Sequence, residues 1–559
     1  MEPLVKHNPG FEGGPVILKT IVAGLILIMI ASVIVLSWVP PVSKDALTHH
    51  LAVPKLYLKH GGIHEIPHMS YSYYPMNLDL LYLIPLSLGN DIIPKFIHFG
   101  FALLTAWLIF HHLRRRTNQL YALVGVVFFL SIPIIVKLSV TVYVDLGLIF
   151  FSTSSLLLLL KWLEQRCDPK WLLLSALFCG LALGTKYNGL IVFFLLVLFV
   201  SFLKSRYRAD EKNSFAKALG FGILFGLIAL FVFSPWMIRN YHWTGNPIFP
   251  LYDNWFNPQS GFSRDGLDPF TVRKMIFHES WWQMALLPVR VFFEGHDGSP
   301  QYFDGKLNPF LLFFPFFAFL RLKNDSKEIR SEKKILLVFS VLYFAFAFFG
   351  TDLRIRYLSP IIPPLVILSI HGMKKMMDLS GRAVSVRAQK TGIILVIGIV
   401  GFSLYLNAIY VFGLFKEVQP FSFLTGSVSR HEYIEKYRPE YGALKYINEN
   451  LPLDAKVLFF HLGNRGYYCD RDYLFDMQRG VSTLHKIVKN CSFPQEVVLE
   501  FQRRKMTHFL IRHDLFQFWV KNNFDEREMI LLDQLFKYYV KIVYFMKGYG
   551  VYRIEYSTM

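Results

Sequence analysis

The sequence predicts a polytopic α-helical membrane protein with a small α/β domain at its C-terminal end, and three observations predict it. Of 559 residues, 53% are hydrophobic and 17% aromatic, and the mean hydropathy is +0.36, more apolar than a water-soluble globule of this size. The apolar residues gather into runs of membrane-spanning length joined by short basic links. From about residue 430 this pattern gives way to a mixed, charged segment with short alternating stretches.

Residues 1–19, with HNPGFEGGP, read as a cytoplasmic tail. The run from about 20 to 39 follows Lys19, is too long for a signal-peptide core and lacks a small-x-small cleavage site, so it reads as a retained anchor. Further runs at about 94–112, 119–136, 142–161, 170–185, 188–203, 217–236, 309–322, 335–350, 357–373 and 391–413 give about eleven spans within residues 20–415. RRR at 114–116, KWLEQRCDPK, KSRYRADEKNSFAK, RLKNDSKEIRSEKK and MKKMMDLSGRAVSVRAQK all fall on one side of this alternation, which the basic bias assigns to the cytoplasm. The external side then receives loop 40–92, the turns at Lys137 and Lys186, loop 237–308, TDLRIR and the C-terminal domain. An odd number of spans puts the N-terminus inside and the C-terminal domain outside. Because the cations sit in these links, the net charge of +19 reports orientation rather than nucleic-acid binding.

Within residues 430–559, GALKYINENLP reads as a helix ending at Pro452, DAKVLFF and THFLIR as buried strands, FDEREMILLDQLFKYY as a second helix and KIVYFMKGYGVYRIEY as a closing hairpin. This is a small doubly wound pattern without a GxGxxG loop after its first strand. HLGNRGYY is only a glycine turn there, so no nucleotide site is expected. Cys167 and Cys179 fall in or near spans, while Cys469 and Cys491 share the C-terminal domain, as a bridge or as two free thiols.

Asp45, in SWVPPVSKDALTHHL just beyond the first run, is a carboxylate at a membrane edge. It reads either as the N-cap of a surface helix with Leu47, Leu51 and Leu58 on its apolar stripe, or as a proton acceptor sharing a face with His49. Asp145, in TVYVDLGLIFF, puts a second acid at the external end of a span and favours the catalytic reading. Tyr74 and Asp79, in YYPMNLDLLY, add candidate substrate contacts, with solvation the plainer fate of Asp79. Lys186, Arg239, Arg354 and Arg356 lie on the external side against the orientation bias, where a phosphate at the bilayer surface would compensate them, while headgroup snorkelling accounts as well for any one of them. In the long loop, Trp281, Trp282, Arg290, Glu294 and Asp297 suit sugar stacking or an acceptor lid, although an interfacial belt explains the tryptophans as well.

The order of DALTHHLAVPKLYL, YYPMNLDLLY, an external-end Asp145, TKYNG, PWMIRNY followed by TGNPIFP, and RYLSPIIPP resembles the GT-C glycosyltransferases. It is most similar to bacterial lipid-carrier-dependent enzymes related to protein O-mannosyltransferases and lipid A aminoarabinose transferases. The resemblance implies an enzyme of the bacterial inner membrane that moves a sugar from a polyprenyl-phosphate donor to a lipid, glycan or protein acceptor on the external face, with inversion. It places the general base on Asp45, the second acid on Asp145 and the basic set on Lys186, Arg239 and Arg356. Asp-Ala stands where many relatives carry paired acids, which touches metal use. Since the leaving group is a phosphate monoester that cations can stabilise, no obligatory metal is expected, although Asp45, His49 and Asp145 could hold a divalent cation. The competing class is a transporter or flippase of a lipid-linked saccharide. It would show internal repeats and charges near the bilayer midplane, neither of which this sequence carries.

Overall fold

The computed structural model describes residues 16–207, 214–258, 268–322, 325–350, 352–383, 385–478 and 480–556. Residues 1–15 of the expected tail, and 208–213 of one basic link, lie outside them. Helix α1 spans Val16–Ser37, α2 Ala52–Lys59, α3 Asn77–Ser87 and α4 Ile93–Arg116. Helices α5 (Gln119–Ser131) and α6 (Pro133–Ser139) meet at a 66° bend. Pro133, which has no N–H to continue the ladder, starts the second piece. Next come α7 (Asp145–Glu164), α8 (Pro169–Leu183), α9 (Gly189–Tyr207) and α10 (Ser214–Thr244). Helices at Phe310–Phe317, Lys327–Gly350, Ile362–Ser380 and Val386–Val418 complete the bundle.

All eleven predicted runs fall on helices, but they are not equal. Among the described residues, eight helices are long and apolar enough to cross a membrane and the bent α5–α6 pair makes a ninth. The other two, α8 and Phe310–Phe317, are too short to cross alone, since a bilayer core asks for about 20 residues. Both are packed against neighbours, α8 on α7 and α10, and Phe310–Phe317 on the Ile362–Ser380 helix. The span Ile355–Ser380 is almost wholly enclosed by other helices, whereas α1 and Val386–Val418 turn most of their apolar surface outward. That outward surface suits contact with lipid.

The basic links converge on one end of the bundle. Arg116 pairs with both Glu164 and Glu332, His112 Nε2 lies 2.7 Å from Glu332, and Lys333 and Lys375 share Asp325. Helix α7 runs from Asp145 to Glu164 in this network, so Asp145 lies at the opposite end, about 30 Å away at 1.5 Å per residue.

The C-terminal domain has a five-stranded sheet in the order β2-β1-β5-β7-β6. Its strands are β1 (Lys456–Phe460), β2 (Asp472–Phe475), β5 (His508–Arg512), β6 (Val540–Met546) and β7 (Tyr549–Ile554), while β3 (Met477–Gln478) and β4 (Val481–Ser482) form a separate ribbon. β1 is parallel to β2 and β5, and the closing β6–β7 hairpin is antiparallel. Alternation along β1 divides the core: Leu458 and Phe460 join one cluster with the helices Thr483–Asn490, Pro494–Arg503 and Glu526–Tyr538. Val457 and Phe459 join the cluster continuous with the membrane region. Cys469 and Cys491 are both free and buried, one in each cluster, so the sheet separates them.

Candidate functional site

The first loop does not form one amphipathic surface helix. Ala46–His50 is a single π-helical turn, closed by Leu51 N donating to Ala46 O at 2.9 Å, and α2 follows it. Leu47 and Leu51 are buried in the core while Leu58 is exposed, so the expected stripe is split. Such widened turns recur at functional sites. This one presents Asp45, Thr48, His49 and His50 to a cavity of about 290 Å³.

Two ion pairs dominate that cavity. Arg356 Nη1 lies 2.5 Å from Asp45 Oδ2, and Lys186 Nζ lies 2.6 Å from Asp145 Oδ1. Tyr357 sits between the two cations, its ring centroid 5.0 Å from Lys186 Nζ and 5.2 Å from the Arg356 guanidinium. Asp145, only 1% exposed, stands behind Lys186 rather than on the cavity wall, and its Oδ2 accepts no hydrogen bond among the described residues. Asp45 keeps a fifth of its side chain exposed.

Burial alone would raise Asp45. The charge of Arg356 and its hydrogen bond reverse this and hold the carboxyl well below the usual carboxylate range. Burial, reinforced by His50, pushes His49 down to about 3, and burial does the same to His50, so both imidazoles are neutral near pH 7. Asp79 is not solvated: it is 2% exposed and its Oδ1 lies 2.7 Å from His50 Nδ1. Burial raises it to about 7.

Tyr74 and Arg354 also line the cavity, with Arg354 facing Asp304 at 3.6 Å. Arg239 does not. Its guanidinium is held between Trp236 and Trp243 and donates to the Tyr74 carbonyl at 3.1 Å, so it braces the wall from behind. Glu294 and Asp297 also lie off the cavity. Glu294 pairs with Arg290, itself bound to Glu279. Asp297 accepts from Tyr410 and pairs with Lys137, fastening the long loop to α6 and to the Val386–Val418 helix. Trp281 and Trp282 are exposed and away from the cavity. Among the described residues no three His, Cys, Asp or Glu side chains stand close enough to hold a metal ion, so Asp45, His49 and Asp145 do not form a donor set.

Sequence reasoning passed over His50, Tyr357, Tyr71, Gly463 and Asn464, all on the cavity wall. His50 and Tyr357 adjoin residues that were singled out, so neighbourhood could have found them. Nothing local connects Gly463 and Asn464 to a loop some 400 residues earlier.

An anion entering this cavity would meet two cations already positioned by carboxylates, and a hydroxyl would meet an ionised acid. Residues 93–238 match the family model described as dolichyl-phosphate-mannose-protein mannosyltransferase. No curated protein matches the sequence. The backbone is similar to that of ArnT from Cupriavidus metallidurans bound to undecaprenyl phosphate, with 12% identity, a TM-score of 0.57 and coverage of 97% of this chain and 98% of that one. It is also similar to the archaeal oligosaccharyltransferase AglB from Archaeoglobus fulgidus, in complex with an inhibitory peptide and a dolichol-phosphate. There the identity is 11%, the TM-score 0.53 and the coverage 97% of this chain and 74% of that one. The resemblance to GT-C glycosyltransferases thus extends from the order of short motifs to the fold of nearly the whole chain.

Proposed function

We propose that this protein is an integral-membrane glycosyltransferase that takes a sugar from a polyprenyl-phosphate donor and passes it, with inversion, to an acceptor hydroxyl on the external face. The observation that carries the reading is the meeting of two acid–base pairs, Asp45–Arg356 and Asp145–Lys186, at one cavity. The likeness of fold to proteins solved with undecaprenyl phosphate and dolichol-phosphate agrees with such a donor.

In this reading the donor phosphate engages Lys186 and Arg356. Arg356 lines the cavity beside the carboxylate it pairs with. As the phosphate draws on the guanidinium, the Coulombic hold on Asp45 weakens and its carboxylate recovers basicity. The acceptor oxygen then attacks the anomeric carbon while its proton passes to Asp45. The bond from that carbon to the phosphate oxygen breaks, and its electron pair stays on the departing polyprenyl phosphate, whose growing charge the two cations stabilise. Asp145 fixes Lys186 in place. Because cations do this work, we propose that no metal is obligatory.

Asp45→Asn keeps the shape and removes the proton acceptor. Transfer of label from tritiated polyprenyl-phosphate sugars by the purified protein should fall by about 10²–10⁴-fold, with an unchanged elution profile. Turnover near that of the unsubstituted protein would remove Asp45 from this role.

A further inference from the structure

The C-terminal domain reaches the cavity through one turn. Gly463 and Asn464, just after β1, lie on the wall that also holds Asp45. Three residues of this turn have left-handed backbones: His461 at φ 59°, Gly463 at 65° and Asn464 at 60°. Non-glycine residues adopt that region at a cost, and Asn is among the types that tolerate it. A Cβ on Gly463 would be strained by its positive φ and would press on the Arg465 guanidinium, which Glu440 holds.

The turn is fastened on both sides. Arg465 Nε donates to the buried Glu440 at 2.5 Å, Tyr467 N donates to Leu47 O at 3.2 Å, and Lys55 Nζ donates to the carbonyls of Tyr467 and Cys469 at 2.8 and 3.1 Å. It is therefore clamped to the segment that carries Asp45. The Asn464 side chain itself is exposed at the cavity and makes no hydrogen bond among the described residues.

β1 lies between two parallel neighbours, and the crevice beyond the carboxyl ends of such strands, where connections diverge to either side, is where open α/β sheets hold ligands. Here the turn that leaves β1 reaches the cavity that Asp45 lines.

We infer that Asn464, set by Gly463, determines acceptor specificity: its amide, both donor and acceptor, hydrogen-bonds the hydroxyl-bearing part of the molecule that receives the sugar. This rests on the proposed sugar transfer. The donor phosphate is assigned to cations of the membrane region, Lys186 in the turn between α8 and α9 and Arg356 on the span Ile355–Ser380, whereas Asn464 belongs to the C-terminal domain, so the two substrates meet different parts of the chain.

The test uses the full chain in lipid nanodiscs with tritiated polyprenyl-phosphate hexoses and pentoses as donor probes. A detergent extract of native membranes serves as acceptor, and water is the competing acceptor. For Asn464→Ala, the ratio of transfer to hydrolysis should fall about tenfold, the loss of one hydrogen bond. The change should sit in the KM for the extract and not in the KM for the donor, with Asn464→Gln restoring part of it. Gly463→Ala should lower the same ratio. An unchanged ratio in Asn464→Ala, or a donor KM that moves as much as the acceptor KM, overturns the assignment while leaving the transferase reading intact. A parent protein that neither transfers nor hydrolyses any probe removes both.

Discussion

A carboxylate held 2.5 Å from a guanidinium is a poor proton acceptor, and Arg356 holds Asp45 in that way. In the proposed reaction, an anion competing for Arg356 would loosen this pairing and restore basicity to Asp45. If Lys186 serves the donor phosphate as a point charge, as proposed, Lys186→Ala should raise the donor KM by about tenfold or more while the acceptor KM moves less. Steady-state kinetics with each substrate varied in turn would check it, and the opposite ranking would count against a phosphate clamp. Asp79 adds a pH dependence. Its pKa is raised to about 7 by burial, so the proton it shares with His50 is present below pH 7 and lost above it. The negative charge that appears beside the cavity should weaken donor binding as pH rises through 7. In Asp79→Asn that limb should vanish from a binding titration between pH 6 and 8.

At the scale of elements, the site depends on how closely α3 approaches the turn between α8 and α9. Asn77 N donates to Gly184 O at 2.9 Å, its side chain donates to Leu181 O and accepts from Trp236 Nε1, and a methyl on Gly184 would lie 2.3 Å from its amide nitrogen. Two residues on, Lys186 meets Asp145. Gly184→Val should therefore part α3, with Asp79, from the Lys186 turn. The expected cost is about 1–3 kcal/mol of stability, seen as a lowered Tm, together with weaker donor binding. A variant as stable and active as the parent would show that the approach is not needed. The same scale explains what the sequence hid in the first loop. Period-3.6 reasoning reads Leu47, Leu51 and Leu58 as one face, but the π turn at Ala46–His50 resets the phase and leaves Leu58 outside.

Over the whole molecule, α7 joins the cavity at Asp145 to the basic network at Glu164. If the basic end faces the cytoplasm, as the charge bias predicts, the cavity and the C-terminal domain face outward. The native cysteines among the described residues are buried, which suits a labelling test. In intact cells a membrane-impermeant thiol reagent should modify Ser492→Cys in the C-terminal domain and spare Arg114→Cys in the basic link. The reverse pattern would turn the cavity inward and end the external-face reading.

Composition and apolar run length determined the membrane class, the number of helical runs and the convergence of basic links on one end, because lipid leaves the backbone few choices and the signal is local. Alternation and turn chemistry likewise made β1, β5 and the β6–β7 hairpin legible, but not the short β2 that edges the same sheet. Residue type and position at the ends of spans were enough to single out Asp45, Asp145, Lys186 and Arg356. Only the tertiary structure decided how they pair. It also turned Arg239 into a brace behind Tyr74, set Glu294 and Asp297 to fastening the long loop, and brought Asn464 to the loop that carries Asp45. The physical reason is range: a hydropathy run is written in consecutive residues. An ion pair between Asp45 and Arg356 spans 311 positions, and nothing in either neighbourhood encodes it until the helices pack.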